Sequence, residues 1–395
     1  MARVWMTGFE TGDATNGNTE FGGGTLTNFS FDTTNVNPGG SVRSGKFTSS
    51  GSILGMAGSI PNGELSLRLY VYIDAVPTSR VTLIKLLDST QASDFALCIN
   101  TDQTLSVVDT NGSLSSHTAG TVSVSGWHLI EANASIGTTA EIWIDGEDQG
   151  LMTGLNFGAK VRDHVSIGPS DFIPGCNVWI DDIALNDQTG TNNKVTATNQ
   201  RVGPGSIIMI VPGADITPNN WTIQGGGATH FGCLNELPGT VDDVHYINST
   251  SATSGLADAW SFTATPSGLD SYAIVNAIHW GVRGGGSGTQ ATGREALFRA
   301  TDSGGNTITS ARKNWGVNGF LTVYPFLKAD LTWDGTNSFL SKTYVDGVNG
   351  RMIDDNNSTR EVRCSTVWAN VDYIIPTTIM QPAHGMMYPV VVKFE

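Results

Sequence analysis

The chain has 395 residues, 39% of them hydrophobic and only 14% charged, with 48 glycines and a formal net charge of −15 at pH 7. That length exceeds what one hydrophobic core usually serves, so two domains are expected, with three possible. The 21 Lys and Arg residues are spread thinly, whereas phosphate neutralisation needs them clustered, which excludes DNA and RNA as partners.

The opening MARVWMTGFETGD carries one Arg and no apolar run of signal-peptide length. No uninterrupted apolar stretch reaches the roughly 18 residues of a membrane-spanning helix. The expectation is a chain made in the cytoplasm, neither exported through a signal peptide nor inserted in a membrane. Along the first half, LSLRLYVYI alternates Leu65, Leu67, Leu69, Val71 and Ile73 with Ser66, Arg68, Tyr70 and Tyr72. This period of two predicts a half-buried strand. VTLIKLLD, FALCIN, LSVVD, HLIEANA, EIWIDG and NVWIDDIALN follow in the same manner, each bounded by Gly, Asn, Asp or Ser, at the spacing of an antiparallel sandwich. Asp145-Gly146 between two such runs predicts a type I′ hairpin.

After Asp187, QTGTNNKVTATNQ has almost nothing to bury and reads as a linker. Strand-like runs resume with SIIMIVP, AWSFTA, YAIVNAIHWGVR, EALFRATD, GFLTVYPFLKA and REVRCSTVWANVDY. No segment combines a sustained 3.6-residue period with caps, so the fold class is all-β, with a short helical turn allowed at Leu155 to Val161 or Thr292 to Arg299. The expected organisation is a first β-sandwich at 1–187, a linker at 188–200, a second sandwich at 201–373, and a tail or docking strand at 374–395. No internal repeat points to a solenoid or propeller.

Three stretches carry a family resemblance. GWHLIEANASIGTTAEIWIDGEDQG, Gly126 to Gly150, resembles the late strands of laminin-G or concanavalin-like jelly-roll domains. NVWIDDIALNDQTG, Asn177 to Gly190, is similar to the closing strand of such domains in tailed-phage and prophage proteins. Arg201 to Ser249 resembles the segment that follows there: an R-V strand, a P-x-x-D turn, then W-T, N-E, a double Asp and Y-I-N-S. LTWDGTNSFLSKTYVDG, Leu331 to Gly347, fits the same series. The resemblance spans residues 1 to about 370 and implies a virion structural protein with no catalytic residues to carry over. The last 20 or so residues depart from the pattern.

The chemistry-bearing residues support few sites. Asp181-Asp182 could ligate calcium with loop oxygens, but consecutive strand residues point to opposite faces, so one ion would need a bulge. The alternative is edge solvation or a hydrogen bond to the first strand, and Asp242-Asp243 and Asp354-Asp355, in turn-like contexts, pose the same choice. A glycosidase needs paired carboxyls. Glu10, Glu131, Glu141, Glu236 and Glu295 are scattered, and Asp145 and Glu147 share a hairpin tip. His117, His128, His164, His230, His245, His279 and His384 show no zinc spacing. Cys98, Cys176, Cys233 and Cys364 form no CxxC pair and are expected as free, mostly buried thiols.

No G-x-S-x-G elbow exists, and GPGSI at Gly203 to Ile207 lacks the second Gly. RGGGSGTQATGR, Arg283 to Arg294, lacks the ending of a phosphate loop and reads as a surface loop. Trp5, Trp127, Trp143, Trp179, Trp221, Trp260, Trp280, Trp315, Trp333 and Trp368 are mostly expected in the core, with one or another available to stack on a sugar.

The expected function is therefore a non-enzymatic bacteriophage virion protein without a cofactor. It would sit in the tail or host-contact apparatus, as a homo-oligomer bound to other virion proteins. A capsid decoration or head-spike protein is the first alternative, a carbohydrate-binding adhesin for a host glycan the second, and a polysaccharide depolymerase the third.

Overall fold

The computed structural model describes residues 2–12, 21–23, 28–60, 65–90, 92–110, 114–135, 138–157, 162–171, 173–187, 202–250, 255–263, 274–286, 295–305, 307–310, 312–314, 319–330, 340–341, 345–355 and 361–374. The protein is all-β and built from antiparallel sheets, as its alternating runs predict.

Two sheets lie between Ala2 and Asp187. One runs in the order Glu147–Met152, Thr139–Ile144, Trp127–Ser135, Leu65–Ile73, Val178–Asp187, Ser44–Phe47, Phe29–Asp32, with Ala2–Thr7 also pairing with Val178–Asp187. The other runs Leu114–Thr121, Thr104–Asp109, Ser93–Ile99, Val81–Asp88, Arg162–Ile167, Ile53–Ile60, Phe21–Gly23. Their facing side chains form one apolar cluster, in which Leu67, Leu69 and Val71 meet Leu86, Leu97 and Val165. Burial of this alternate-residue set removes roughly 25 cal/mol of exposure cost for each Å² of apolar surface.

The second pair of sheets repeats the device. One has the order Thr222–Gln224, Tyr246–Ser249, Val362–Ile374, Ile274–Gly286, Gly319–Asp330, with Ser206–Ile210 also pairing with Val362–Ile374. The other has Pro212–Asn219, Ala257–Phe262, Asn349–Asp354, Glu295–Thr301, Thr307–Thr309. A separate cluster fills the space between them, with Trp260, Trp280, Phe298, Met352, Val367 and Val371 buried in it.

Several expectations need correction. Glu295–Thr301 is a strand, and Leu155 to Phe157 has no helical turn: the alternating burial of Ala296, Phe298 and Ala300 fixes a period of two there. Pro212–Asn219, read as starting with a P-x-x-D turn, is a strand, paired with Ala257–Phe262. Val202, expected in a strand, lies outside one. The linker at 188–200, the tail beyond Ile374 and most of Leu331 to Gly347 lie outside the described residues.

Candidate functional site

The strand Leu65–Ile73 has the bounds that its alternation predicts, but it is not half-buried. Its polar face is covered too: Ser66 and Arg68 are as buried as the leucines between them. The cover is the second pair of sheets. Arg68 Nη2 meets Asp372 Oδ1 at 2.7 Å, and Arg3 Nη1 meets Asp372 Oδ2 at 2.6 Å, with all three side chains buried. Arg3 lies on Ala2–Thr7, Arg68 on Leu65–Ile73, and Asp372 on Val362–Ile374. One carboxylate of the second sandwich thus receives two guanidinium groups of the first.

The Asn276 amide donates to Asp372 Oδ2 at 3.2 Å, Arg3 Nε donates to Asn186 Oδ1, and Arg68 Nε donates to the Asp182 carbonyl at 3.1 Å. Burial alone would raise the Asp372 pKa, but the facing Arg3 and Arg68 outweigh it and hold the carboxyl below the usual range.

Asp181 and Asp182 belong to the same contact, which corrects the expectation of edge solvation or a bond to the first strand. A bulge sits in their strand: its register with Leu65–Ile73 shifts between Asp181 and Ala184, and Asp182 adopts φ 48°. Both carboxyls are fully buried. Asp182 accepts from Asn37 Nδ2 at 2.6 Å, Ser206 Oγ at 2.7 Å, the Ile207 N–H at 2.7 Å and Ser41 Oγ at 3.1 Å. Asp181 accepts from the Asn37 N–H at 3.1 Å and the Asp182 N–H at 2.8 Å.

The bulge is present, but the groups that reach Asp182 are hydrogen-bond donors: two serine hydroxyls, the Asn37 amide and a backbone N–H. Burial, then the neighbouring Asp182 and Glu10, push the Asp181 pKa well up, and burial pushes Glu10 up to about 8. Burial raises the Asp182 pKa too, opposed by Arg68 and by the hydrogen bonds from Ser206 and Asn37.

Close backbone approach completes the contact. A Cβ on Gly39 would lie 2.2 Å from Ser206 Oγ, and one on Gly8 would lie 2.7 Å from the Ile207 carbonyl oxygen. Tyr373 donates its hydroxyl to the Gly39 carbonyl, and the Gly203 N–H donates to Glu131 Oε1 at 2.7 Å. Met6, Ile207 and Ala277 form a small apolar cluster across the same boundary.

The other acidic pairs hold their own sandwich. Asp243 binds Arg283, with Nε at 2.7 Å, and accepts from Ser365 Oγ at 2.8 Å. Asp354 is buried and bonded to Ser249, while Asp355 reaches Arg312 Nη2 at 2.5 Å. Asp354 ends a strand rather than standing in a turn. Glu236, Asp242 and His245 have donor atoms within 4.8 Å of one another and are the one described group that could hold a metal ion. Glu295 pairs with Arg312 at 3.2 Å and Glu236 stands with Asp242 and His245, so the five glutamates do not converge on one cleft.

Of the histidines, His279 is buried, His164 pairs with Asp163, and His230 Nδ1 lies 2.8 Å from the buried Asp258. The side chain of His117 and the whole of His384 lie outside the described residues. His128 takes part in an arrangement that no sequence motif announces. Its Nε2 lies 2.8 Å from Ser123 Oγ and its Nδ1 lies 2.7 Å from Asp145 Oδ2. A nucleophile elbow is the usual signal for such a group, and here the Ser comes from a loop and the Asp from a hairpin turn.

The four cysteines are buried and free, and burial pushes the Cys98 thiol up to about 11. Trp5, Trp143, Trp179, Trp221, Trp260, Trp280 and Trp368 are buried, while Trp315, Trp333 and the loop from 287 to 294 lie outside the described residues. Trp127 is half-buried and packs with Tyr72 at 5.9 Å between ring centroids, and Tyr72 meets Trp179 edge-on at 5.2 Å. Asn35 and Asp32 accept from the two indoles at 3.1 and 3.0 Å, and Lys46 Nζ stands 4.8 Å over Trp179.

Fold and site together define a class: an all-β protein of two sandwiches joined by a buried ionic contact. No family model and no curated protein matches the sequence. Among solved structures the chain is similar to "Cellulose induced protein, Cip1", at 17% identity and a TM-score of 0.33, over 46% of this chain and 96% of that one. It is also similar to the receptor binding domain of botulinum neurotoxin D, at 18% identity and a TM-score of 0.32, over 40% of this chain and 42% of that one. A third is a Trypanosoma rangeli sialidase, at 14% identity and a TM-score of 0.30, over 40% of this chain and 26% of that one. The chain thus spans less than half the length of the last two, and these likenesses carry no argument about function. No helix among the described residues is long and apolar enough to cross a membrane.

Proposed function

We propose that the chain is a structural protein of a bacteriophage virion, in the tail or host-contact apparatus, working by protein–protein assembly as a homo-oligomer. The observation that carries this reading is the double ion pair of Arg3 and Arg68 with Asp372, which ties the two sandwiches together through buried charge. A tied pair of domains would serve a part that must hold geometry in a particle. The ordered phage-like stretches between Asn177 and Ser249 support the same reading, and a capsid decoration or head-spike position would use the same unit.

Light scattering on the purified chain, with co-sedimentation on phage particles, tests it. A trimer, pentamer or hexamer that travels with particles is expected; a monomer that ignores them would sink the reading. A second reading, a carbohydrate-binding adhesin, is favoured by the half-buried rings of Tyr72 and Trp127 on the first sandwich, which the buried Trp179 backs. Aromatic faces with polar neighbours suit a pyranose ring.

A further inference from the structure

Ser123, His128 and Asp145 are linked by hydrogen bonds in the order that nucleophilic acyl transfer requires. We propose that they form a hydrolytic site for small, unhindered esters such as O-acetyl groups, an activity beyond the assembly role and independent of it.

The fold fixes each member. Asp145 occupies the first position of the hairpin between Thr139–Ile144 and Glu147–Met152. Its N–H donates to the Leu129 carbonyl and its Oδ1 accepts the Leu129 N–H, each at 2.8 Å. Its Oδ2 is left facing His128 Nδ1. His128 sits next to Leu129 on the strand Trp127–Ser135, with 13% of its side chain exposed. Ser123 is exposed, between Val122, whose N–H donates to the Gln103 carbonyl at 2.9 Å, and Ser125, whose N–H donates to the Ile73 carbonyl at 2.8 Å.

An ionised carboxylate only accepts, so Nδ1 of a neutral His128 carries the proton and Nε2 offers its lone pair to the Ser123 hydroxyl. That is the tautomer a general base needs. Access is open as well. A Cβ on Gly126 would lie 3.7 Å from His128 Nε2 and 3.9 Å from Ser123 Oγ, with no other atom within 4 Å outside its chain neighbours. Any side chain there would stand over the hydroxyl; glycine leaves room for an ester carbonyl.

In the reaction Ser123 Oγ bonds to the carbonyl carbon while its proton passes to His128 Nε2. The tetrahedral adduct then collapses, the C–O bond to the alcohol breaks, and the departing oxygen takes the proton from Nε2. Water, deprotonated by Nε2, next releases the acyl group as a carboxylic acid and restores the serine. Asp145 touches neither substrate nor reacting atoms: it is a positioning residue. The exposed position of Ser123 suits a small, unhindered acyl group.

The test uses the full chain with p-nitrophenyl acetate and a fluorophosphonate probe, followed by mass spectrometry of the labelled peptide. The expected result is covalent label on Ser123 and ester turnover that falls at least tenfold in Ser123→Ala and in His128→Gln. Asp145→Asn, which keeps the turn, should lower kcat with KM unchanged and alter the pH profile, and Asp145→Glu should restore part of the rate. Ser123→Ala removes only an exposed hydroxyl, and an unchanged melting temperature verifies its fold. Absence of label on Ser123, or turnover equal in wild type and Ser123→Ala, would overturn the proposal.

Discussion

Arg68 and Asp372 stand 304 positions apart in sequence, yet their guanidinium and carboxylate meet at 2.7 Å with no solvent exposure. Arg3 shares the same carboxylate, so Asp372 faces two buried cations at once. Replacing it by Asn removes the charge while keeping the shape. A cation left buried without its partner costs about 3–5 kcal/mol. Asp372→Asn should lower the free energy of unfolding by that amount and separate the transitions of the two sandwiches; one unshifted transition would show that the contact contributes nothing.

The fit between backbones gives a second prediction. Gly39→Ala would place a methyl group 2.2 Å from Ser206 Oγ, so the sandwiches must part or Ser206 must turn away from Asp182. The expected loss is about 1–3 kcal/mol. Adding Ser206→Ala removes the nearest atom and should make the double substitution less costly than the two single effects added together, a non-additivity that a denaturation series would read directly.

The interface also sets a pH dependence. Burial pushes Glu10 from 4.5 up to about 8, so its protonated form is favoured in the folded state. Its contribution to stability is fully present below the ordinary carboxylate range and is lost as pH rises from there through about 8, an effect on the order of 5 kcal/mol when complete. Asp372 has the opposite sign: its contribution is present above the ordinary range and is lost as pH falls through its lowered value. Stability should therefore peak on the mildly acidic side of neutrality. Melting temperatures of wild type should fall on the alkaline side, and Glu10→Gln, which still accepts from the Val42 N–H, should flatten that limb. Identical curves for the two proteins would contradict the assignment.

The aromatic group on the first sandwich separates the two functional readings. Trp127→Ala exposes the Tyr72 ring and deletes one indole face, so an adhesin should lose binding on a glycan array tenfold or more. An assembly protein should keep its oligomeric state and particle binding unchanged.

Much of the fold was legible because period-two burial is a local property. Leu65–Ile73 emerges with the bounds its alternation implies, and the Asp145-Gly146 turn has positive φ at both positions, 52° and 87°, as a type I′ turn requires. The site was not legible because it depends on partners distant in sequence. Ser66 and Arg68 look like a solvent face from the strand alone; only Asp372 and Ser206–Ile210 make that face an interior. The bulge at Asp182 gives no composition signal, and the Ser123, His128, Asp145 alignment arises from the meeting of a loop, a strand and a hairpin.

The most direct measurement of the central claim is quantitative mass spectrometry of phage particles purified from the host that carries this gene. The assembly reading predicts this chain at a fixed, integral ratio to the tail or capsid proteins, retained through repeated gradient purification. Its absence from intact particles, or a variable trace amount lost on washing, would contradict that reading.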